Sequence, residues 1–328
     1  MKKRLLIALG ALVLIAIVYV LIKARQTEET PSITPRRPGI PSYITGKLPI
    51  EFLIEKEGFD FPSQLPTISV SRRALDKSSV SAIAERLGLG STLSEFEDAN
   101  EGTKYYASND KYSYIATPKT STVKFGMTVS EVPVAVEKNI TDEEFVNIAT
   151  EFLTENAFYA KDKIKALPVV YLKPSSVSEG LEKTDRNSAQ VFQIGFTFSS
   201  SEYEILTAYS DAPRVTVQLL TDGDVYSSEI LLIDGIQKGL TEYPLKTHEE
   251  VSAGLDEARL IGLSGDYISP SDLTISDITS LKVEKIRLVY FLEQGKEQFL
   301  QPIYLLEGPA GIRNSSANFA TIYLPAYK

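Results

Sequence analysis

The hydrophobic positions of the chain follow three patterns, which predict one apolar helix, three amphipathic helices and many short strands. Residues 5–22 form an uninterrupted apolar run without a charge. Apolar residues then recur at helical spacing in three stretches, and between these stretches apolar and polar residues alternate. A period of 3.6 residues is typical of a helix with one buried face, whereas alternation is typical of a half-buried strand.

Three amphipathic helices are predicted from apolar stripes and helix-start signals. The first covers residues 78–87 and is stopped by two glycines. The second begins at Thr141, which forms a capping box with Glu144. The third begins in the same way, at Thr247 with Glu250. Each box satisfies backbone amides that the first turn of a helix leaves without partners, so the starts of these two helices are well defined.

Short stretches rich in tyrosine and β-branched residues follow each helix and predict antiparallel strands. These strands cover residues 104–107, 112–116 and 122–127, then 168–172, 190–198, 214–220 and 225–233, and finally 285–292, 298–306 and 318–324. A helix followed by three or four strands, three times over, predicts an α+β fold. We expect an N-terminal transmembrane helix, then tandem modules of a helix packed on an antiparallel sheet.

The expected domain organisation has four parts. Residues 1–25 form an N-terminal membrane anchor, and residues 26–47, with four prolines among Thr, Ser and Arg, form an extended proline-rich stalk. A first α+β module covers residues 48–138. A second α+β unit covers residues 139–328, which divide near residue 240 if the unit contains two modules.

The apolar run from Leu5 to Ile22 is long enough to cross a lipid bilayer. At 1.5 Å per residue it spans about 27 Å, and flanking Lys and Arg side chains extend it toward the roughly 30 Å hydrocarbon core. A cleaved signal peptide would have a shorter run and small residues at its cleavage site, and neither is present. More cations precede the run than follow it, which predicts a cytoplasmic N-terminus and an extracytoplasmic C-terminal domain.

Charge and cysteine content narrow the classes of function. The formal net charge is −9, and because residues 1–25 hold five cations and no acid, the remainder carries −14. Such a field repels phosphate backbones, and no basic stripe interleaved with aromatic residues is present, so the sequence argues against nucleic acid as a partner. The chain has no cysteine, which excludes disulfides, thiolate metal sites and cysteine nucleophiles.

For each candidate catalytic or metal-binding group, a structural role explains the sequence better than a chemical role does. His248 is the only histidine, but no Gly-x-Ser-x-Gly elbow accompanies it, and its position after an N-cap is typical of a solvated helix start. Residues 221–224 (TDGD) resemble part of a calcium loop but lack the later ligands, so a type I′ hairpin turn is preferred. No spacing selects a carboxylate pair within the acidic stretches 95–101 and 272–277. We therefore predict no catalytic residue, cofactor site or metal site.

The strands after the first helix are conspicuously aromatic. Tyr105, Tyr112 and Tyr114 lie on two of them. Alternation along a strand sends about half of such side chains into the core and leaves the others on an exposed face. These three tyrosines are a candidate interaction surface for a protein or peptide, and core packing with cross-strand pairing is the alternative explanation.

The C-terminal part carries three segments with a familiar look: TEYPLKTHEEV (241–251), IRLVYFL (286–292) and QFLQPIYLLEG (298–308). Together residues 241–328 resemble bacterial membrane-anchored regulatory ectodomains of the YycH/YycI type, and related PepSY-like modules. The resemblance implies a signal anchor, an outward-facing ectodomain and a non-enzymatic regulatory role. It brings no catalytic residues with it.

The sequence therefore favours a non-enzymatic, membrane-anchored extracytoplasmic interaction or regulatory ectodomain of a bacterial cell envelope. Its expected partners are the lipid bilayer, through residues 5–22, and a membrane or envelope protein. Two alternatives remain open. One is a structural or assembly subunit of an envelope complex, and the other is a solute-binding protein or carboxylate-dependent hydrolase.

Overall fold

The computed structural model describes residues 46–328 except 130, 134–138, 176–179, 199–201, 208–214, 265–273, 293–298 and 314. The expected anchor at residues 5–22, bounded by Leu5 and Ile22, and nearly all of the expected stalk lie outside the described residues. Within the described ranges, no helix is both long enough and apolar enough to cross a membrane. All described residues belong to one compact unit.

Three α-helices occur in the described part of the chain. They are α1 (Lys77–Arg86), α2 (Asp142–Glu155) and α3 (His248–Ala253). The capping boxes of Thr141 with Glu144 and of Thr247 with Glu250 are both present, so these two predicted helix starts are confirmed. A third box begins α1, where the Asp76 carboxylate accepts a 2.7 Å hydrogen bond from the backbone amide of Ser79.

Nineteen strands complete the described structure. They are β1 (Ile50–Phe52), β2 (Gln64–Arg72), β3 (Ser94–Asp98), β4 (Gly102–Ser108), β5 (Tyr112–Thr117), β6 (Thr122–Met127), β7 (Ile164–Ala166), β8 (Val170–Pro174), β9 (Leu181–Lys183), β10 (Val191–Phe198), β11 (Ile205–Thr207), β12 (Val215–Leu220), β13 (Val225–Leu231), β14 (Ile233–Pro244), β15 (Arg259–Ser264), β16 (Ile278–Val283), β17 (Lys285–Leu292), β18 (Phe299–Ile312) and β19 (Ser315–Pro325). These strands form two sheets.

The ten-stranded sheet is antiparallel throughout, in the order β3-β4-β5-β6-β13-β12-β10-β8-β9, with β7 paired to β10. Helices α1 and α2 pack on one of its faces. The buried stripe of α1 consists of Val80, Ile83 and Ala84. From α2, Phe145 stacks on Phe192 of β10 with ring centroids 4.1 Å apart. This face therefore becomes the core side of the sheet.

The nine-stranded sheet is built around β18. Along its 14 residues β18 pairs with β17, β19, β16 and β2, and all of these pairings are antiparallel. Two short edge strands run parallel to their neighbours, β1 to β16 and β11 to β17. The remaining strands are β14, which pairs with β2, and β15, which pairs with β19.

The chain passes from one sheet to the other at Leu232, between β13 and β14. Arg73, which follows β2, lies at this junction. Its guanidinium donates to the Asp234 carboxylate at 2.7 Å and to the carbonyl oxygens of Ala157 and Phe158 at 3.1 and 3.0 Å. The end of α2, the end of β2 and the start of β14 are thus tied together by one side chain.

Helix α3 holds both ends of the described chain. Its acids and those of the turn after it form four ion pairs of 2.6–2.9 Å: Lys47–Asp256, Lys56–Glu249, Lys246–Glu257 and Lys328–Glu250. Lys47 and Lys56 precede β2, Lys246 lies just before α3, and Lys328 is the last residue of the sequence. Most of these side chains are exposed, so each pair adds little stability, and the four pairs together place both ends of the described chain against α3 and the turn after it.

The predicted fold class is wrong. The described structure is mainly β, with two large sheets rather than tandem modules of a helix on its own sheet, and without a described helix that could span a membrane. The strands of the predicted modules do not stay separate. β6 pairs with β13, and β2 pairs with both β14 and β18. The boundary predicted between residues 138 and 139 stays a prediction about folding units, although strand pairing crosses it.

Candidate functional site

The three tyrosines predicted as an interaction surface all face the helices. Tyr105 pairs with Ala116, and Tyr114 pairs with Ala107, across β4 and β5. Tyr112 lies two residues before Tyr114 on the same strand, so the three tyrosines share one face with these two buried alanines. Tyr114 has 0% exposure, and its hydroxyl has no hydrogen-bond partner among the described residues. Tyr114 is therefore part of the core and is inaccessible to a partner in this conformation.

Tyr105 and Tyr112 are half-buried against the same core. The ring of Tyr112 stacks on Phe125 with centroids 4.8 Å apart, and the Lys111 ammonium lies 5.1 Å from the ring centre. These contacts explain both residues by packing and cation–π attraction. Contact of Tyr105 or Tyr112 with a partner stays a prediction.

The opposite face of this sheet, which we call the outer face, carries a different set of side chains. Residues paired directly across strands share a face. The pairing of Tyr106 with Ile115, of Ile115 with Lys124 and of Lys124 with Glu229 therefore defines one row. The accessible part of the outer face includes Phe96, Lys104, Tyr106, Ser113, Ile115, Lys124, Gln193, Gln218, Ser227 and Glu229. Toward β8 the same face carries Leu172, Val191 and Leu220, which are buried in a separate apolar cluster.

An apolar patch lies at one end of the outer face. Phe96 on β3 is 44% exposed, and Tyr106 and Ile115 beside it are half-buried. None of these three side chains belongs to the apolar clusters formed by the described residues. An aromatic pair and an isoleucine on a solvent-facing sheet offer apolar area to a partner, and Tyr106 adds a polar tip.

A row of hydrogen-bonding side chains crosses β13, β12 and β10 on the same face, separated from the patch by β6. The Ser227 hydroxyl donates to Gln218 Oε1 at 2.5 Å, and Gln218 Nε2 donates to Gln193 Oε1 at 2.9 Å. Each member is half-buried. The chain of bonds fixes the rotamers of these amides, so the row presents its remaining donors and acceptors in a defined order at little entropic cost.

The charges of the outer face are paired. Lys124 lies 3.4 Å from Glu229 across β6 and β13. Lys104 contacts Glu101 at 2.5 Å and Asp98 at 3.1 Å, and these hydrogen bonds raise the pKa of Lys104. The backbone amides of Glu101 and Asn100 lower the pKa of Asp98 from 3.8 to about 2. The face therefore offers little net charge.

The structure explains His248 by packing. Its Nε2 lies 2.8 Å from the carbonyl oxygen of Ile54, and its ring contacts Phe52 and Phe59 with centroids 5.5 and 5.7 Å away. The imidazole thus packs α3 against residues 52–59, which precede β2. Among the residues described, no three metal-ligating side chains converge on one point.

The other acidic motifs are also placed in turns. Residues 221–224 connect β12 to β13, and the carbonyl of Leu220 accepts a 2.9 Å hydrogen bond from the amide of Gly223. Gly223 has φ +91°, but Asp222 does not adopt a positive φ, so the hairpin differs from the expected type I′ turn. Asp224 pairs with Lys111 at 2.8 Å. In the stretch 272–277 only residues 274–277 are described. There the Asp277 carboxylate accepts hydrogen bonds from the backbone amide and the hydroxyl of Thr274, at 2.9 and 2.6 Å.

A shallow groove of about 400 Å³ lies along α1. Its lining residues are Lys77, Ser78, Ser81, Ala82, Glu85, Ser91 and Leu93. Several polar groups there are already satisfied, because Ser81 donates to the carbonyl of Ser91 at 3.0 Å and Lys77 pairs with Glu95 at 3.1 Å. These contacts occupy part of the hydrogen-bonding capacity of the groove.

The sequence contained a signal for the outer face that the prediction did not use. Tyr105 has the same parity as Ala107 on β4, and Tyr112 and Tyr114 have the same parity as Ala116 on β5. In the structure Ala107 and Ala116 lie on the side that faces the helices, so parity places these three tyrosines on that side. The adjacent Tyr106 has the opposite parity. The amide row of Gln193 and Gln218 carried no comparable local signal.

Comparison with known proteins gives weak likenesses of structure. No family model and no curated protein matches the chain. It is similar to an uncharacterised protein from Eubacterium rectale (13% identity, TM-score 0.45, covering 87% of this chain and 90% of that chain). It is also similar to YycH from Bacillus subtilis (11% identity, TM-score 0.37, covering 76% of this chain and 52% of that chain).

The predicted resemblance to YycH is therefore confirmed as a weak structural likeness, which spans about half of the YycH chain. Both TM-scores lie below 0.5. Neither likeness identifies a family, a ligand or a partner for this protein.

Proposed function

We propose that this protein is a non-enzymatic interaction or regulatory module of a bacterial cell envelope, and that it works by binding a membrane or envelope protein. The observation that carries the proposal is the outer face, where the patch of Phe96, Tyr106 and Ile115 and the ordered row of Gln193, Gln218 and Ser227 lie on the same side of one sheet, on either side of β6. Apolar area next to fixed hydrogen-bonding groups is the usual composition of a protein contact surface.

The chemistry of the outer face defines the partner segment that fits it. The segment brings one or two apolar side chains to the Phe96–Tyr106–Ile115 patch. It also brings backbone or side-chain amides to the glutamine row, because buried amides need partners. Strong charge is not required, since Lys124 and Lys104 are already paired.

The proposed location is the cell membrane, with the C-terminal part outside the cytoplasm. This part of the proposal rests on the hydropathy of residues 5–22 and on the excess of cations before them. Fractionation followed by protease treatment of intact cells tests it. Digestion of residues 46–328 in intact cells supports the location, and protection of these residues until lysis contradicts it.

The binding function is tested by site-specific photocrosslinking in cells. A photoreactive phenylalanine is placed at position 106 in the full chain, and the matched control places it at position 105. The two positions are adjacent in sequence but lie on opposite faces of β4. A third variant has residues 1–25 replaced by an unrelated anchor, which separates contacts made by the folded part from contacts made by the N-terminal segment.

We expect one defined protein to be captured from position 106 with either N-terminal segment, and at least about fivefold less from position 105. Equal capture from both positions, or capture of no stoichiometric partner from position 106, contradicts a binding role for the outer face. Turnover of a substrate by the purified full chain that a single carboxylate-to-amide change abolishes contradicts the non-enzymatic role.

A further inference from the structure

The strand β14 contains an unusual exposed bulge. Its partner in the described structure is β2, and the register shifts between Lys238 and Glu242. Residues 239–241 thus stand opposite Thr67 alone. Leu240, at the centre of this bulge, is 103% exposed, whereas the other exposed large apolar side chains of the described residues are 43–48% exposed.

The first residue of the bulge, Gly239, lets the backbone approach β2 closely. A side chain on Gly239 would lie 2.9 Å from the carbonyl oxygen and the hydroxyl of Thr67, which is closer than real Cβ contacts allow. Glycine at this position lets the backbone of the bulge lie directly against β2. Leu240 is therefore presented from a fixed support at the edge of the nine-stranded sheet.

The two residues that flank the bulge carry opposite charges. Lys238 and Glu242 are exposed, and neither forms an ion pair with another residue of the described ranges. Elsewhere the lysines near this sheet have acidic partners, as Lys285 has in Glu307 at 3.6 Å. The side chains of Lys238, Leu240 and Glu242 on β14 are thus available for contact with another molecule.

We propose that two copies of this chain associate through the bulge, about a two-fold axis that passes beside Leu240. In an antiparallel arrangement Leu240 meets Leu240 of the second copy. Lys238 of each copy then faces Glu242 of the other. Lys238 and Glu242 lie at equal distances in sequence from Leu240. An antiparallel second copy therefore places each lysine opposite a glutamate, and one two-fold axis allows the leucine contact and both ion pairs.

The same geometry limits the assembly to a dimer. A parallel alignment would place Lys238 against Lys238 and Glu242 against Glu242, which is repulsive. The bulge also interrupts the strand edge, so a continuous ladder cannot extend from copy to copy. An isologous contact uses the same surface on both copies and therefore closes after two.

The contact is small, and we expect weak association in solution. Stable interfaces bury about 1,200–2,000 Å², and one leucine with two flanking charges on each copy covers much less. Covalent trapping suits such a contact. The chain has no cysteine, so Leu240→Cys introduces the single thiol of the protein at the proposed axis.

The test is the initial rate of disulfide-linked dimer formation by full-length L240C under mild oxidation. Lys238→Glu and Glu242→Lys are added singly and together. We expect each single reversal to slow trapping by roughly threefold to tenfold, because exposed ion pairs contribute at most about one order of magnitude in equilibrium constant. The double reversal restores opposite charges across the axis and is expected to return the rate to within about twofold.

The control places the thiol at Val129, which is 48% exposed and lies outside the bulge. The same reversals should leave trapping of V129C unchanged. Equal rates for all four L240C proteins, a double reversal as slow as the single reversals, or failure of L240C to form a dimer each overturns the proposal. Thermal melting of every variant confirms that these exposed substitutions leave the fold intact.

Discussion

The phenolic oxygen of Tyr159 accepts a 2.8 Å hydrogen bond from the backbone amide of Ile233. The same hydroxyl donates to the carbonyl oxygen of Leu231. Leu231 ends β13 and Ile233 begins β14, so one side chain fixes the backbone on both sides of the passage between the sheets. Tyr159 is buried, and its burial raises the pKa of the phenol, which keeps the hydroxyl neutral and able to donate.

Removal of this hydroxyl is expected to destabilise the whole described unit. Tyr159→Phe leaves a buried amide and a buried carbonyl without their partner, at a cost of about 1–3 kcal/mol in the free energy of unfolding. Urea denaturation followed by circular dichroism measures the loss. Tyr226→Phe is the matched control, because the Tyr226 hydroxyl forms no hydrogen bond with the described residues, and its change should stay within about 0.5 kcal/mol. Equal effects of the two changes contradict the assigned role of Tyr159.

The nine-stranded sheet contains a half-buried ionic cluster around Arg287. Its guanidinium makes two 3.1 Å bonds to the Glu307 carboxylate and one of 2.7 Å to Glu204. Arg287→Met leaves Glu307, whose side chain is 12% exposed, without this forked partner. We expect the free energy of unfolding to fall by about 1–3 kcal/mol, since Glu307 loses its close partner in a partly buried site and keeps the mostly exposed Lys285, 3.6 Å away.

The control for this change is Lys124→Met on the ten-stranded sheet. The Lys124–Glu229 pair is mostly exposed, with side-chain exposures of 62% and 37%, and an exposed pair contributes about 0–1 kcal/mol. Urea midpoints of the two variants are compared in the same buffer. A larger loss from K124M than from R287M would show that burial does not set the strength of these pairs.

Gly308 on β18 lies where another segment of backbone crosses closely. A methyl group at this position would overlap the carbonyl oxygen of Lys282, and it would lie 3.1 Å from the amide of Glu284. Gly308→Ala must therefore push β18 away from the β16–β17 junction. We expect a loss of about 2 kcal/mol or more, or failure to accumulate as folded protein.

Gly262→Ala is the matched control for Gly308→Ala. Gly262 lies on β15 in the same sheet, and a methyl group there would lie 3.5 Å from Thr321 Cβ, which is an ordinary contact. This variant should fold and lose at most about 1 kcal/mol. Similar yields and thermal midpoints for the two variants would show that the crossing at Gly308 is looser than described.

Acid stability is expected to depend on Asp98. Because its folded pKa is about 2, below the usual 3.8, the folded state binds this proton less readily than the unfolded state does. The stabilisation from Asp98 is therefore complete above about pH 4 and is lost as the pH falls toward 2. Asp98→Asn should make the fall in urea midpoint between pH 5 and pH 2 shallower.

Asp110→Asn provides the control for the pH series. The Asp110 carboxylate makes no hydrogen bond or ion pair with the described residues, so this variant should follow the wild-type pH profile. The outcome that contradicts the assignment is a D98N profile parallel to the wild-type profile over the same pH range.

Local structure was predictable from local signals. The boxes of Thr141 with Glu144 and of Thr247 with Glu250 lie within four residues and specify helix starts without help from the rest of the chain. The tyrosine-rich strands near residues 104–127 were predicted for the same reason. The error arose in how these elements assemble.

Assembly was not predictable because the pairings that decide it are remote in sequence. β2 pairs with β14 some 170 residues later, and Leu300 of β18 pairs with Ile68 of β2. No short motif encodes such a partner. The face of each tyrosine was predictable only in part, since parity separates Tyr105 from Tyr106 but does not say which side a helix will cover.

Residues 225–244 form an almost unbroken length of extended backbone, in which β13 leads directly into β14 and joins the two sheets. β14 belongs to the nine-stranded sheet, whereas β13 lies in the middle of the other sheet, between β6 and β12. Ser227 on the outer face and Leu240 on the bulge are separated by at most about 45 Å of this backbone. The outer face and the bulge are therefore carried by one continuous run of backbone, whose passage between the sheets is held by Tyr159 and Arg73.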